Sequence, residues 1–267
     1  MKKFFGGLLV FLIACLIAGL GWFFYIGIET ANEFESHQSL ESLVETTRAK
    51  EDYVPYDQVA SSLYQATVAI EDARYYQHGA VDIPALIRAA ASQVLPFIPK
   101  SGGSTITMQV VKNLYGMYHS SPRWKAAEIV LATRLEKICS KDEILSLYVN
   151  IINYGDHYHG INAASNGYFG IAPIELNPAQ STLLAGIPQS PSNFELSTHF
   201  EQAKAKQKLV LNAMVKNKMI TQEQADEIYA YPCQPTVFSP YWQTGFAWSE
   251  NQTGISGSES LILLPAF

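Results

Sequence analysis

The sharpest feature in the apolar and polar pattern is at the N-terminus, where Phe4–Ile28 runs without a charged residue. A helix rises about 1.5 Å per residue, so this run can cross a hydrocarbon layer of about 30 Å. Lys2 and Lys3 precede it and Glu29 and Glu33 follow, which places the N-terminus in the cytoplasm and the rest outside. Trp22, Phe23, Phe24 and Tyr25 are expected as an aromatic girdle at the outer interface. Two other readings stand beside an uncleaved anchor. A cleaved signal peptide is one, against which count the length of the run and the lack of a clear Ala-x-Ala site. A lipoprotein box at Leu12-Ile13-Ala14-Cys15 is the other, and cleavage there would leave a long apolar segment outside.

Beyond the run, the polar and acidic residues 29–54 read as a stalk, with residues 55–232 as one domain and residues 233–267 as a tail. Apolar residues recur every three to four positions over Leu63–Ala73 and Ile83–Val94, the helical period. Asp82 is placed to cap the second helix, with Pro84 in its first turn. A break rich in Pro and Gly follows at residues 95–105, then a helix from Pro122 to Lys137. Ser140–Glu143 is a capping box opening a helix through Tyr148, and Asn177–Gln180 and Thr221–Gln224 are further starts. A Lys-rich helix spans roughly Glu201 to Lys218. No strand series, internal repeat or αβ alternation is present, so the fold class is mainly α. The tail has no Lys or Arg and is rich in aromatic residues, and its role stays open.

Composition adds limits. Hydrophobic residues make up 48% of the 267 and charged residues 16%, which suits a packed core and excludes wholesale disorder. A net charge of -6 argues against general nucleic-acid binding through bulk positive charge. Cys15, Cys139 and Cys233 are too few and scattered for a metal knuckle or disulfide scaffold, leaving a Cys139–Cys233 bridge as an open pairing.

Four clusters can carry chemistry. Glu71 and Asp72 end an apolar helix ahead of Arg74 and His78, where burial would raise a carboxyl pKa toward a range useful for proton transfer. The alternative is an exposed pair of acids bonded to Arg74. Gly102-Gly103-Ser104-Thr105 leads to Gln109, Lys112 and Asn113, a loop able to hold a phosphate, or else a plain loop with a helix cap. It lacks the GK[ST] ending of a Walker A loop. Between Asp82 and Glu128 there is no acid, while Arg88, Lys100, Lys112, Arg123 and Lys125 form a positive stretch. Lys125 and Glu128, three apart, share a helix face, and an unpaired Glu128 in the cleft would be a second carboxylate beside Glu71. Residues 148–170 are rich in small and aromatic residues, with His157 and His159 expected side by side on a strand face and core packing as the default. Two carboxylates, a hydroxyl-rich loop and a basic cluster outside a membrane fit either glycosyl transfer from a phosphate-activated sugar or glycoside hydrolysis.

In order and spacing, EDARYYQHGAVD, GGSTITMQVVKN, RWKAAEIVLATRLE, KDEILSLYVN, GINAASNGYFG and LLAGIPQSP resemble the motifs of the peptidoglycan glycosyltransferases. These comprise the monofunctional transglycosylases and the glycan-polymerising domain of bifunctional penicillin-binding proteins. The resemblance covers about residues 50–230. It implies an α-helical, lysozyme-like domain with a large lobe and a smaller, mobile, membrane-dipping one. It implies lipid II and the growing glycan strand as ligands, a bacterial cytoplasmic membrane as location and cell-wall synthesis or division proteins as partners. Glu71 matches the general base, and Glu128 the second glutamate, which assists the pyrophosphate side or positions a metal. Lys112 and Lys125 match holders of the leaving pyrophosphate. Asp72, Ser104, Thr105, Gln109, Asn113 and Arg123 match further substrate-binding positions. Inversion at the anomeric carbon and a divalent ion, Mg or Mn, are implied by the resemblance alone. Met108, Ala80 and Trp124 depart from the pattern, where a glutamine, a glycine and a basic residue are usual, so altered affinity rather than lost activity is expected. The transpeptidase set Ser-x-x-Lys, Ser-x-Asn and Lys-Thr-Gly is missing beyond residue 230, which leaves two readings, a monofunctional enzyme or a fragment of a longer protein. A lysozyme-like hydrolase and a catalytically silent precursor-binding scaffold are the rival readings.

Overall fold

The computed structural model describes residues 2–95, 97, 102–119 and 121–236. Lys100 and the tail residues 237–267 therefore lie outside the described residues. Among those described the fold is mainly α, with one isolated bridge between Asn153 and His159 in place of any strand.

Helix α1, Lys2–His37, is unbroken, and its apolar part is long enough to cross a membrane, with none of the apolar window buried by the rest of the chain. Helix α2, Leu40–Arg48, is capped by Ser39 and buries Leu40, Val44 and Thr47. The stretch 29–54 is thus not a free stalk. The C-terminal end of α1 lies on α6 (Pro122–Ile138), and α2 packs on α6 and on α7 (Lys141–Ile151), because its buried positions share one helical face. Arg48 at its end reaches Glu143 at 2.8 Å.

Two packed groups make the domain. In one, α5 (Ile106–Leu114) lies against α6 and α7 through Ile106, Met108, Val110, Val111, Leu131, Leu135 and Leu145, all buried. In the other, α3 (Ser61–Glu71), α9 (Pro178–Gly186) and α11 (Phe200–Lys216) bury Leu63, Ala66, Leu183, Leu184 and Val210. Helices α4 (Ile83–Val94), α8 (Ile161–Phe169), α10 (Pro191–Phe194) and α12 (Gln222–Ala230) complete the chain.

Capping chemistry sets many of the boundaries. Asp82, Thr105, Ser121, Ser140, Asn177 and Thr221 each accept from the backbone N–H three residues on, satisfying groups the first helical turn leaves open. Helix α3 stops at Glu71 rather than Ala73, since Asp72 leaves the helical region and gives its carboxylate to the Ile106 N–H at 3.1 Å. His157 and His159 are not neighbours on a strand face. The backbone turns there through positive φ at Gly155, Asp156 and His157. Cys139 and Cys233 are separate buried thiols, each 3.8 Å from a cationic nitrogen, of Arg48 and Lys204 respectively.

Candidate active site

A cleft of about 1160 Å³ opens where the two groups meet, lined from the end of α3, from α4, the 102–105 loop, α5, α6 and α11. Gly103 lets the loop close on α4, for a Cβ there would sit 2.9 Å from the Ala89 Cβ and 3.2 Å from the Leu86 Cα.

Glu71 is the last residue of α3, so its side chain leaves the apolar helix where the cleft begins. Its Oε2 accepts from Gln109 Nε2 at 2.8 Å. Burial pushes the Glu71 carboxyl above the ordinary range; the Gln109 hydrogen bond and the charge of Lys206 oppose that, and neighbouring Asp72 adds to it. Lys206 is 8% exposed in the middle of α11 and donates to Gln189 Oε1. Burial pulls its ammonium pKa down, and the Glu71 carboxylate works the other way.

On the facing wall, Lys125 Nζ donates to Ser104 Oγ at 2.7 Å and to Glu128 Oε1 at 2.8 Å. Glu128 is 6% exposed and is paired with Lys125, as their shared helix face allows, so it does not stand in the cleft as an unpaired carboxylate. Arg88, Lys112 and Lys216 also line the cleft, and none has a carboxylate partner among the described residues. Lys112 lies 6.0 Å from the centroid of Tyr118.

The remaining expected positions divide. Asp72 touches the cleft wall, but His78 Nε2 at 2.7 Å and the Ile106 N–H occupy its two oxygens, so it ties α3 to α5. Thr105, 1% exposed, caps α5 and donates to the Ala80 carbonyl at 2.7 Å. Asn113 lies in an adjoining hollow of about 410 Å³ that shares Gln109 and Lys112 with the cleft. Arg123 is not brought to the cleft. Its side chain turns away from Lys125 to donate to Thr30 Oγ1 at 2.6 Å and to pair with Glu33 on α1.

Sequence reasoning passed over Lys206 and Gln189. A signal for Lys206 was present: it shares a helical stripe with Ala203, Val210 and Met214, where a charge is costly without a purpose. Gln189 has no such signature.

The profile of the family described as Transglycosylase matches residues 37–215. The chain belongs to that family. Glu71, Gln109, Lys112, Lys125, Glu128 and Lys206 all fall inside the transglycosylase match. Penicillin-binding protein 2D of Bacillus subtilis (strain 168) is 39% identical over 180 residues, which is 67% of this chain and 26% of that protein. Penicillin-binding protein 1A of Neisseria gonorrhoeae is 40% identical over 165 residues, 62% of this chain and 21% of its own. A crystal structure of penicillin-binding protein 1A from Haemophilus influenzae aligns with a TM-score of 0.35 and 24% identity over 54% of this chain and 18% of that one. The chain thus matches about a quarter of the length of these curated relatives.

Proposed function

We propose that this transglycosylase cleft joins sugars from lipid II, polymerising it into glycan strands with inversion at the anomeric carbon and release of a polyprenyl pyrophosphate. The observation that carries this reading is that Glu71, a carboxylate raised in pKa, shares one cleft with Arg88 and Lys112, which have no carboxylate partner among the described residues, and with the Lys125–Glu128–Ser104 group. A sugar hydroxyl becomes a useful nucleophile as a carboxylate within hydrogen-bond reach takes its proton. Glu71 accepts that proton from the acceptor 4-hydroxyl while the oxygen bonds to the donor anomeric carbon. The bond from that carbon to the pyrophosphate breaks, and Lys112 and Lys125 meet the charge that grows there. A hydrolase would also profit from a raised glutamic acid, but its leaving group is a neutral sugar, for which this cluster of cations has no use.

Among the described residues Glu128 offers a fitting position for a divalent ion, since there its Oε1 alone is engaged by protein and magnesium commonly takes one or two carboxylates together with substrate phosphates. Such an ion would add positive charge at the pyrophosphate. Asp72, His78 and Asp82 lie within 4.8 Å of one another but fit poorly, since Arg74 already holds Asp82 and the Ile106 N–H and His78 hold Asp72.

The apolar part of α1 anchors the chain in a bacterial cytoplasmic membrane with the cleft outside, where a lipid-linked substrate is confined to the same surface. Purified protein in detergent, given labelled lipid II and a divalent ion, is expected to yield long glycan, and the Glu71→Gln variant none. Short soluble fragments cut from intact peptidoglycan, with no polymer made, would replace this reading with hydrolysis.

A further inference from the structure

Helix α1 has 36 residues, about 54 Å at roughly 1.5 Å per residue, against about 30 Å of hydrocarbon. The excess does not stand free. Gly27, Thr30, Ala31 and Phe34 fall at i, i+3, i+4 and i+7 and form a face turned toward the domain, the first three of them buried. A Cβ at Gly27 would come within 2.9 Å of the backbone of Ala126 on α6, so the two helices touch where a side chain has no room. Arg123 and Arg134, about 16 Å apart along α6, grip this face. Arg123 binds Thr30 and Glu33, while Arg134 pairs with Glu35 and donates to Asn32 at 2.9 Å. Between them Phe34 packs 5.4 Å from Tyr115 and 5.7 Å from Trp124, centroid to centroid. Tyr115 closes the contact by donating to the Gln38 carbonyl at 3.2 Å.

Helix α6 also carries Lys125 and Glu128, and Trp124 lines the cleft while holding Phe34. The membrane helix and one catalytic wall are therefore a single packed unit. We infer that the segment Gly27–Gln38 is a positioning element, with Glu33 and Glu35 as positioning residues that set the height and tilt of the cleft over the bilayer. The inference rests on the reading of the cleft as one that takes a lipid-linked substrate.

The test compares the full chain with its Glu33→Arg/Glu35→Arg variant on lipid II, once with both in vesicles and once in detergent micelles. In vesicles kcat/KM is expected to fall at least about tenfold, since small misplacements cost that much, while in micelles it stays within about twofold. Adding Arg123→Glu and Arg134→Glu is expected to restore the vesicle rate. A second readout is independent of activity: energy transfer from a dye at Glu223→Cys, in a Cys15→Ser background, to labelled lipid headgroups. A changed transfer efficiency in the variant supports the clamp, and an unchanged efficiency with an unchanged vesicle rate overturns it. An equal loss in vesicles and micelles also overturns it, since that marks a merely structural role. If the unaltered chain transfers no sugar at all, the functional reading falls, and the energy transfer decides the clamp by itself.

Discussion

Removing Lys125 separates what its ammonium does for the fold from what it does for the reaction. Its nitrogen is 2.8 Å from Glu128, with side-chain exposures of 36% for the lysine and 8% for the glutamate. A fully buried pair broken on one side loses about 3–5 kcal/mol, and an exposed pair about 0.2–1 kcal/mol. This pair lies between, because Glu128 is closed in while Lys125 reaches water, so Lys125→Met should cost about 2 kcal/mol. For a domain of this size that is a fall of about 4–8 °C in melting temperature. Lys125→Met/Glu128→Gln should recover most of that fall, as no unpaired buried carboxylate remains. Thermal melts of the four proteins in one detergent measure the coupling, and lipid II polymerisation measures the chemistry. Both single variants and the double variant should be inactive, the double variant although it is stable. Additive melting temperatures would refute the pairing, and an active double variant would refute the role at the pyrophosphate.

Glu71 has a folded pKa above its unfolded one, so the folded state holds that proton more tightly. Stability from this group is full below the unfolded pKa and is lost as pH rises through the folded one. Glu71→Gln should therefore melt higher than the parent at neutral pH while losing activity, as paired melts across pH would register. As the proposed base, Glu71 must be ionised to work, so the acid limb of kcat/KM should lie above the usual carboxylate range, and Lys206→Met should move it to still higher pH. A limb that stays put in that variant would remove Lys206 from the account of Glu71. Thr105→Val removes a helix cap and leaves the Ala80 carbonyl unpaired, so a loss of about 2–4 kcal/mol is expected in thermal melts.

The expected clusters of chemistry met in space unevenly. Ser104, Gln109, Lys112, Lys125 and Glu128 converge on the cleft with Glu71, although Gln109 reaches Glu71 across 38 positions of chain. Thr105 and Asp72 belong to the same motifs, yet they cap a helix and bind a backbone N–H. A hydroxyl or carboxylate has the same appearance in a sequence whether it faces ligand or backbone. Arg123 shows the complementary error. Two positions from Lys125, it points off another side of the helix, and the acid that claims it, Glu33, lies 90 residues earlier on α1.

Features governed by neighbours within about four positions were legible in the chain itself. The apolar run of α1, the helical class and the caps at Asp82, Ser140, Asn177 and Thr221 are of this kind, since periodicity and capping act within a turn. The packing of residues 29–54 onto α6 and α7, the reach of Lys125 to Ser104 and the burial of Lys206 near Glu71 depend on elements far apart in sequence. Charge and hydrophobicity along a chain do not say which distant helix will supply the partner. Only the packed fold decides which ionic groups are buried, and burial is what turns Glu71 from a surface acid into a candidate base.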